Sequence, residues 1–242
     1  MEIVKATLWI YGMAFVRSTQ LVGKNWAVSF APLAYSVILS VAAFFLIPFG
    51  IIGGILLVLT GNACVSSGLY LIENILNAGK ADLSDFTGGF TVYLWEVVRI
   101  SFILWIPMRV AATVLSSAPN GLLFLFFIQI ALYIILNGVP ELIYQSRASG
   151  LDLLAGSYSF ITENWIEWLT PNLLITLAGV ILLRVLDWFV SGLPSSLQFF
   201  VTTLGLGLFL TYFMTFRGLL FAELNGTTPR GRVYRYRTRS SS

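Results

Sequence analysis

The chain has 242 residues, of which 57% are hydrophobic and 10% charged, with a formal net charge of +3. A soluble domain carries about 25% charged residues, so this composition excludes a soluble globular protein and assigns most of the chain to lipid. One cysteine, Cys64, and no histidine exclude disulfides, thiolate metal clusters and the commonest general base.

The first 28 residues contain an almost wholly apolar stretch, Ala6 to Val16, bracketed by Glu2, Lys5 and Arg17. It is too short to span and shows no small-residue cleavage site, so it reads as an interfacial helix on the cytoplasmic leaflet, not a signal peptide. Apolar runs of about 20 residues are long enough to cross a hydrocarbon core about 30 Å thick. They fall near 29–49, 51–73, 97–117, 121–143, 172–191 and 197–222. Segments 82–95 and 152–168 stand before the second and third pairs of runs, as the first 28 residues stand before the first pair. The expected fold is an all-α membrane protein with six transmembrane helices. They form three tandem units, near 1–80, 81–150 and 151–225, each an interfacial helix followed by a transmembrane hairpin. Residues 1–225 are then one transmembrane domain and 226–242 a basic cytoplasmic tail.

Repetition supports that division. Asn25-Trp26 with Pro32 reappears as Asn164-Trp165 with Pro171. Asp82, Phe90 and Trp95 match Asp152, Phe160 and Trp165 at an offset of 70 residues, and Leu21 and Trp26 match Phe90 and Trp95 at 69. A fixed period of this kind is how internal duplication announces itself. A Trp before each odd-numbered span suits an indole at the headgroup level. Pro32 and Pro171 are expected in the first turn of a span, where the missing N–H costs nothing. The middle unit departs: Leu94 replaces the Asn, and Pro107 falls inside the span, where a kink is expected.

Basic residues orient the chain. Lys5, Arg17 and Lys24 precede the first span, Lys80 and Arg99 lie between the second and third, and Arg147 between the fourth and fifth. Arg217 closes the sixth, ahead of Arg230, Arg232, Arg235, Arg237 and Arg239. The opposite loops, around Gly50 and Pro119, carry no charge. The positive-inside rule then makes this a multi-pass protein of the cell membrane with both termini cytoplasmic.

Each even-numbered span ends on an acid: Glu73, Glu141 and Glu223. A carboxylate near a helix C-terminus meets the negative end of the dipole. Two readings explain that: pairing with a base such as Lys24, Arg99, Arg147 or Arg217, or a ring of acids at a cytoplasmic pore mouth. Asn62 precedes Glu73 by eleven residues, three helical turns, and Gln129 precedes Glu141 by twelve. These five residues are the candidate ion or solute pathway, although such amides also bond between helices. Arg109 and Arg184 lie in outward halves of spans and are candidate contacts for an anion or a lipid headgroup. Arg184 has Asp187 one turn away to neutralise it, whereas Arg109 has no local partner. Small residues in span two (Gly61, Ala63, Ser66, Ser67, Gly68) and Gly205 and Gly207 in span six predict close helix packing. The arginines of the tail, directly behind a cytoplasmic span, point to anionic lipid at about 1 kcal/mol per basic residue. Nucleic acid is not expected as a partner.

Paired membrane aspartates, a Ser–His pair, a Walker loop and clustered carboxylates are all missing from the sequence. An enzyme is therefore not expected, and no cofactor or metal is implied. The run Gly68-Leu69-Tyr70, then Gly79 and Asp82 to Phe90, with the stretches Ser18 to Pro32 and Ser157 to Pro171, resembles a group of polytopic bacterial and archaeal membrane proteins. Their relatives include the membrane domain attached to some glycerophosphodiester phosphodiesterases. The resemblance covers most of the chain and implies a membrane fold. Here no phosphodiesterase domain follows, so it implies no activity and no site residues. The expected function is a channel or transporter for a small solute, ion or lipid, since such proteins are often built from internal repeats. The alternatives are a structural or assembly subunit of a larger membrane complex, partnered by other subunits or by itself, and a lipid-interacting membrane organiser.

Overall fold

The first helix, α1 (Glu2–Lys24), has an acid in its first turn and a base in its last, both complementary to the helix dipole. It buries a stripe four residues apart: Ala6, Ile10, Ala14, Ser18 and Val22. In this computed structural model, which describes residues 2–146 and 148–240, that stripe packs on the last long helix of the chain. α1 stops at Asn25, whose backbone leaves the helical region (φ −113°, ψ 29°). The Asn25 Nδ2 donates to Leu21 O at 2.8 Å and to Gly79 O at 3.1 Å, and its Oδ1 accepts from the Ala81 N–H at 2.9 Å. One amide therefore caps the break and ties down a linker more than fifty residues away.

Helices α2 (Ala31–Leu46) and α3 (Gly50–Asn77) follow, joined by a short 3₁₀ turn. Pro32 sits in the first turn of α2, as its missing N–H favours. Gly50 turns the chain with a positive φ of 60°. The two helices lie side by side, with Tyr35 OH donating to Ser67 Oγ at 2.9 Å. The small residues of α3 do what their size allows. Ser66 Oγ donates to Gly89 O at 2.6 Å and accepts from the Tyr93 N–H at 2.8 Å, while Ser67 Oγ donates to Phe86 O at 2.8 Å. These bonds hold α4 (Leu83–Val92) against α3. A Cβ on Gly89 would stand 3.0 Å from Ser67 Cα, so the approach requires glycine.

Helix α5 (Leu94–Leu115) runs through Pro107, and α6 (Gly121–Ile135) returns beside it. The apolar run then breaks, and a separate short helix, α7 (Val139–Gln145), begins with Pro140 in its first turn. Helix α8 (Leu151–Val190) has a non-helical residue inside it, Asn164 (φ −130°, ψ 21°). Pro171 therefore lies in the interior of α8, not in the first turn as its spacing suggested. A proline there leaves the carbonyl four residues earlier without its helical donor. Tyr11 OH of α1 supplies the bond, donating to Glu167 O at 2.9 Å. Helix α9 (Ser195–Leu224) packs on α1, α2, α3, α7 and α8. A Cβ on Gly207 would fall 2.0 Å from Ser29 O, so close backbone packing does explain that glycine. The chain ends in α10 (Pro229–Ser240), which lies along α1.

The described residues are helical with no strands. Five stretches are long and apolar enough to cross a membrane: Trp26–Asn77, Leu94–Leu115, Gly121–Gln145, Leu151–Val190 and Ser195–Leu224. The first, of 52 residues, is α2 and α3 together, doubled back at Gly50. Burial is uneven along these helices. The core collects where α3, α7, α8 and α9 carry Ile75, Leu142, Trp168, Phe216, Leu220 and Phe221. Helix α6, by contrast, is exposed on nearly every face from Leu122 to Ala131.

Candidate functional site

A buried pair of charges lies in that core. Glu141 is 0% exposed and Arg217 6%. Arg217 Nε donates to Glu141 Oε1 at 2.7 Å and Nη2 to Oε2 at 2.8 Å, a bidentate fork, with Nη2 also on Asn137 O. The guanidinium carbon stands 5.0 Å from the Trp168 ring centroid and 5.4 Å from that of Phe213, within cation–π range. Trp168 Nε1 in turn donates to Asn137 Oδ1 at 2.8 Å. The break in the apolar run produces this geometry. Because the chain restarts after Gly138, Glu141 occupies the first turn of α7 and not the end of a long span. It meets a positive helix end, contrary to what its place in the sequence suggested.

Of the bases offered for the glutamates, Arg217 pairs with one and Lys24 and Arg99 with none among the described residues, while Arg147 lies outside them. Glu73 instead accepts from Tyr93 OH at 2.5 Å, and burial first, then this carboxylate, hold the Tyr93 hydroxyl well above its usual range. Glu223 takes Arg235 of the tail at 3.3 Å. The three acids are thus engaged by three different groups. Asn62 does share a face with Glu73, but that face is turned toward α4 and α5, where Ser101 Oγ donates to Asn62 Oδ1 at 3.5 Å. Gln129 is on the exposed surface of α6, apart from Glu141. Arg109 and Arg184 are both exposed. Among the described residues Arg184 and Asp187 form no ion pair; Asp187 accepts from Gln198 Nε2 at 3.2 Å instead.

The basic tail is folded. Arg232 is 4% exposed and reaches Asn164 Oδ1 at 2.5 Å, Thr227 O at 3.1 Å and Glu167 Oε1 at 3.5 Å. Burial pulls this guanidinium below its ordinary range, and Glu167 opposes that pull. Arg237 pairs with Glu2, and Tyr236 meets Trp9 edge-on at 6.1 Å. Nothing in the run of arginines distinguishes Arg232 as the inward one. The duplicated Asn164 was the available clue, since its counterpart Asn25 likewise fixes the segment that follows its own hairpin.

Several apolar grooves open along these helices, two of them between the apolar length of α9 and its neighbours. One, of about 440 Å³, lies between α2, α3 and α9 and is lined by Pro32, Tyr35, Leu39, Gly61, Val65 and Leu210 among others. The other, of about 570 Å³, lies between α1, α8 and α9, with Trp26, Leu182, Leu183, Gly205, Leu208 and Phe209 in its walls. Among the described residues no group of three or more Cys, Asp or Glu stands close enough to hold a metal ion. No family model, curated protein or solved structure matches the chain.

Proposed function

We propose that this is a non-enzymatic membrane protein of six crossings that holds lipid acyl chains in the apolar grooves between its helices. The observation that carries the proposal is the pair of grooves. One lies between the first hairpin and α9, the other between α1 and the two arms of the α8–α9 hairpin; both are walled almost entirely by hydrocarbon and flank the packed core. Such a surface can hold an acyl chain by van der Waals packing, which drives association within lipid, and offers a solute or ion almost nothing to coordinate. The cation-pathway reading gains no comparable support, because Glu73, Glu141 and Glu223 already bind Tyr93, Arg217 and Arg235.

Six crossings follow if the doubled-back Trp26–Asn77 stretch counts as two. Three tandem units are supported by features that recur in each third. The backbone leaves the helix at Asn25, Tyr93 and Asn164 with similar angles. Glycines with positive φ, Gly79, Gly150 and Gly226, follow α3, α7 and α9. The short or leading helices of the second and third units pack on the hairpin before them, and α1 packs on α9, which closes the series. With basic residues on the side of those glycines, both termini face the cytoplasm of the cell membrane. Arg109 and Arg184, exposed near the opposite helix ends, are then placed to reach outer-leaflet headgroups by snorkelling.

A second reading, an assembly subunit, is favoured by α6. Its exposed surface carries Gln129 with no hydrogen bond among the described residues, and an amide at membrane depth bonds readily to another helix. Native mass spectrometry of protein extracted gently from its own membranes separates the two. Lipid binding predicts retained phospholipid, and the folded double variant Leu182→Trp, Leu208→Trp, which fills the larger groove, should retain fewer. An unchanged lipid count in that variant overturns the proposal. Stoichiometric partner proteins with no retained lipid would favour the subunit reading.

A further inference from the structure

Where the ends of α3, α7 and α9 converge beside α1, the structure leaves a third cavity of about 330 Å³. Its character differs from that of the grooves, and it shares no lining residue with them. Arg17, Asn77, Tyr144, Gln145 and Gly218 supply its walls. Tyr144 is 6% exposed, and its O–H has no hydrogen-bond acceptor among the described residues. A buried hydroxyl left without an acceptor is unfavourable, so a ligand atom that accepts from it is favoured. Gly218 keeps the space open: a Cβ there would stand 2.4 Å from Leu76 Cδ1 and 2.7 Å from Tyr144 OH. The Gln145 side chain is anchored on the same glycine, Nε2 donating to Gly218 O at 2.9 Å, which fixes the wall.

Charge selects the ligand. Two of the acids on the three converging helices are offset by arginine, Glu141 by Arg217 and Glu223 by Arg235, while Glu73 accepts from the uncharged Tyr93 hydroxyl. Arg17 makes no ion pair among the described residues and lines the cavity. Arg17 and Asn77, both exposed, and the buried Tyr144 line one small space, and each carries a side-chain donor. A tetrahedral oxyanion, rich in acceptors and lacking any need for an acceptor in return, matches that set, and arginine binds phosphate oxygens in a bidentate fork. We propose that this cavity is a phosphate site, taking either the headgroup phosphate of a membrane lipid or a soluble phosphate. The proposal does not depend on acyl chains occupying the grooves.

The test uses the full chain, stripped of lipid, in a phosphate-free maltoside detergent. Two probes are titrated separately, inorganic phosphate and phosphatidylglycerol, with binding followed by native mass spectrometry and by the thermal midpoint. Arg17→Gln should weaken binding about tenfold and Tyr144→Phe several-fold, the latter removing a single hydroxyl. Lys24→Gln, a basic residue outside the cavity, should leave binding unchanged. Displacement of the lipid by millimolar phosphate would identify a headgroup site, and binding of phosphate alone would identify a soluble ligand; either supports the proposal. It is overturned if neither probe binds, if folded Arg17→Gln and Tyr144→Phe bind as the parent does, or if Lys24→Gln loses as much as Arg17→Gln. In those cases Arg17 only offsets the negative ends of α3 and α7.

Discussion

Glu141 and Arg217 show how an ionisable pair survives inside a packed bundle of apolar helices. Both oxygens of the carboxylate are bonded, and the guanidinium is covered by Trp168 and Phe213. Attraction between buried charges only about repays their desolvation, so the pair is best understood as fixing where α7 sits on α9. Breaking it is another matter, because one partner alone is a buried uncompensated charge. Arg217→Ala should therefore destabilise the protein by about 3–5 kcal/mol. The double replacement Glu141→Leu, Arg217→Met should recover most of that loss. Thermal unfolding in detergent checks both, and equal loss in the single and double variants would mean that the pair contributes through packing volume alone.

At the scale of the element, the breaks matter more than the spans. Asn25 and Asn164 were legible in the sequence as a repeated pair, each followed by a tryptophan, and the structure gives them a task. Each returns its Nδ2 to the carbonyl four residues back, Leu21 O or Phe160 O, and holds the chain beyond its hairpin through Oδ1. Asn164→Ala should cost about 1–3 kcal/mol, since it leaves the buried Arg232 without one acceptor. It should also loosen α10, which limited trypsin digestion would report as faster cleavage after Arg235 and Arg237. Unaltered cleavage would show that α10 is held by Glu2, Glu223 and Trp9 instead. The break before α7 was not legible, because hydropathy averages over it and the apolar run from 121 to 143 reads as continuous. Gly138 and Pro140 mark it, but only the long-range pairing of Glu141 with Arg217 shows that it matters. Sequence offset likewise paired Arg184 with Asp187, whereas the turn between α8 and α9 brings Gln198 to that carboxylate.

For the molecule as a whole, hydropathy was a sound guide to how much of the chain is apolar and helical, and a poor one to what the helices enclose. Spacing placed Glu73, Glu141 and Glu223 at matching positions; it could not say that three unrelated partners take them. The uncharged turns and the basic linkers define two sides, and single cysteines in a Cys64→Ala background test them. An impermeant maleimide added to intact cells should label Asn120→Cys and Gly192→Cys, but Lys80→Cys only after the membrane is opened. Labelling of all three from outside would contradict the orientation. The central claim concerns the apolar grooves between the helices. It is tested most directly by cryo-electron microscopy of the protein in lipid nanodiscs, bound to a rigid antibody fragment. The account predicts elongated acyl-chain density along the groove between α1, α8 and α9 and along that between α2, α3 and α9. Grooves closed by helix movement, or filled by water with no chain density, would contradict it.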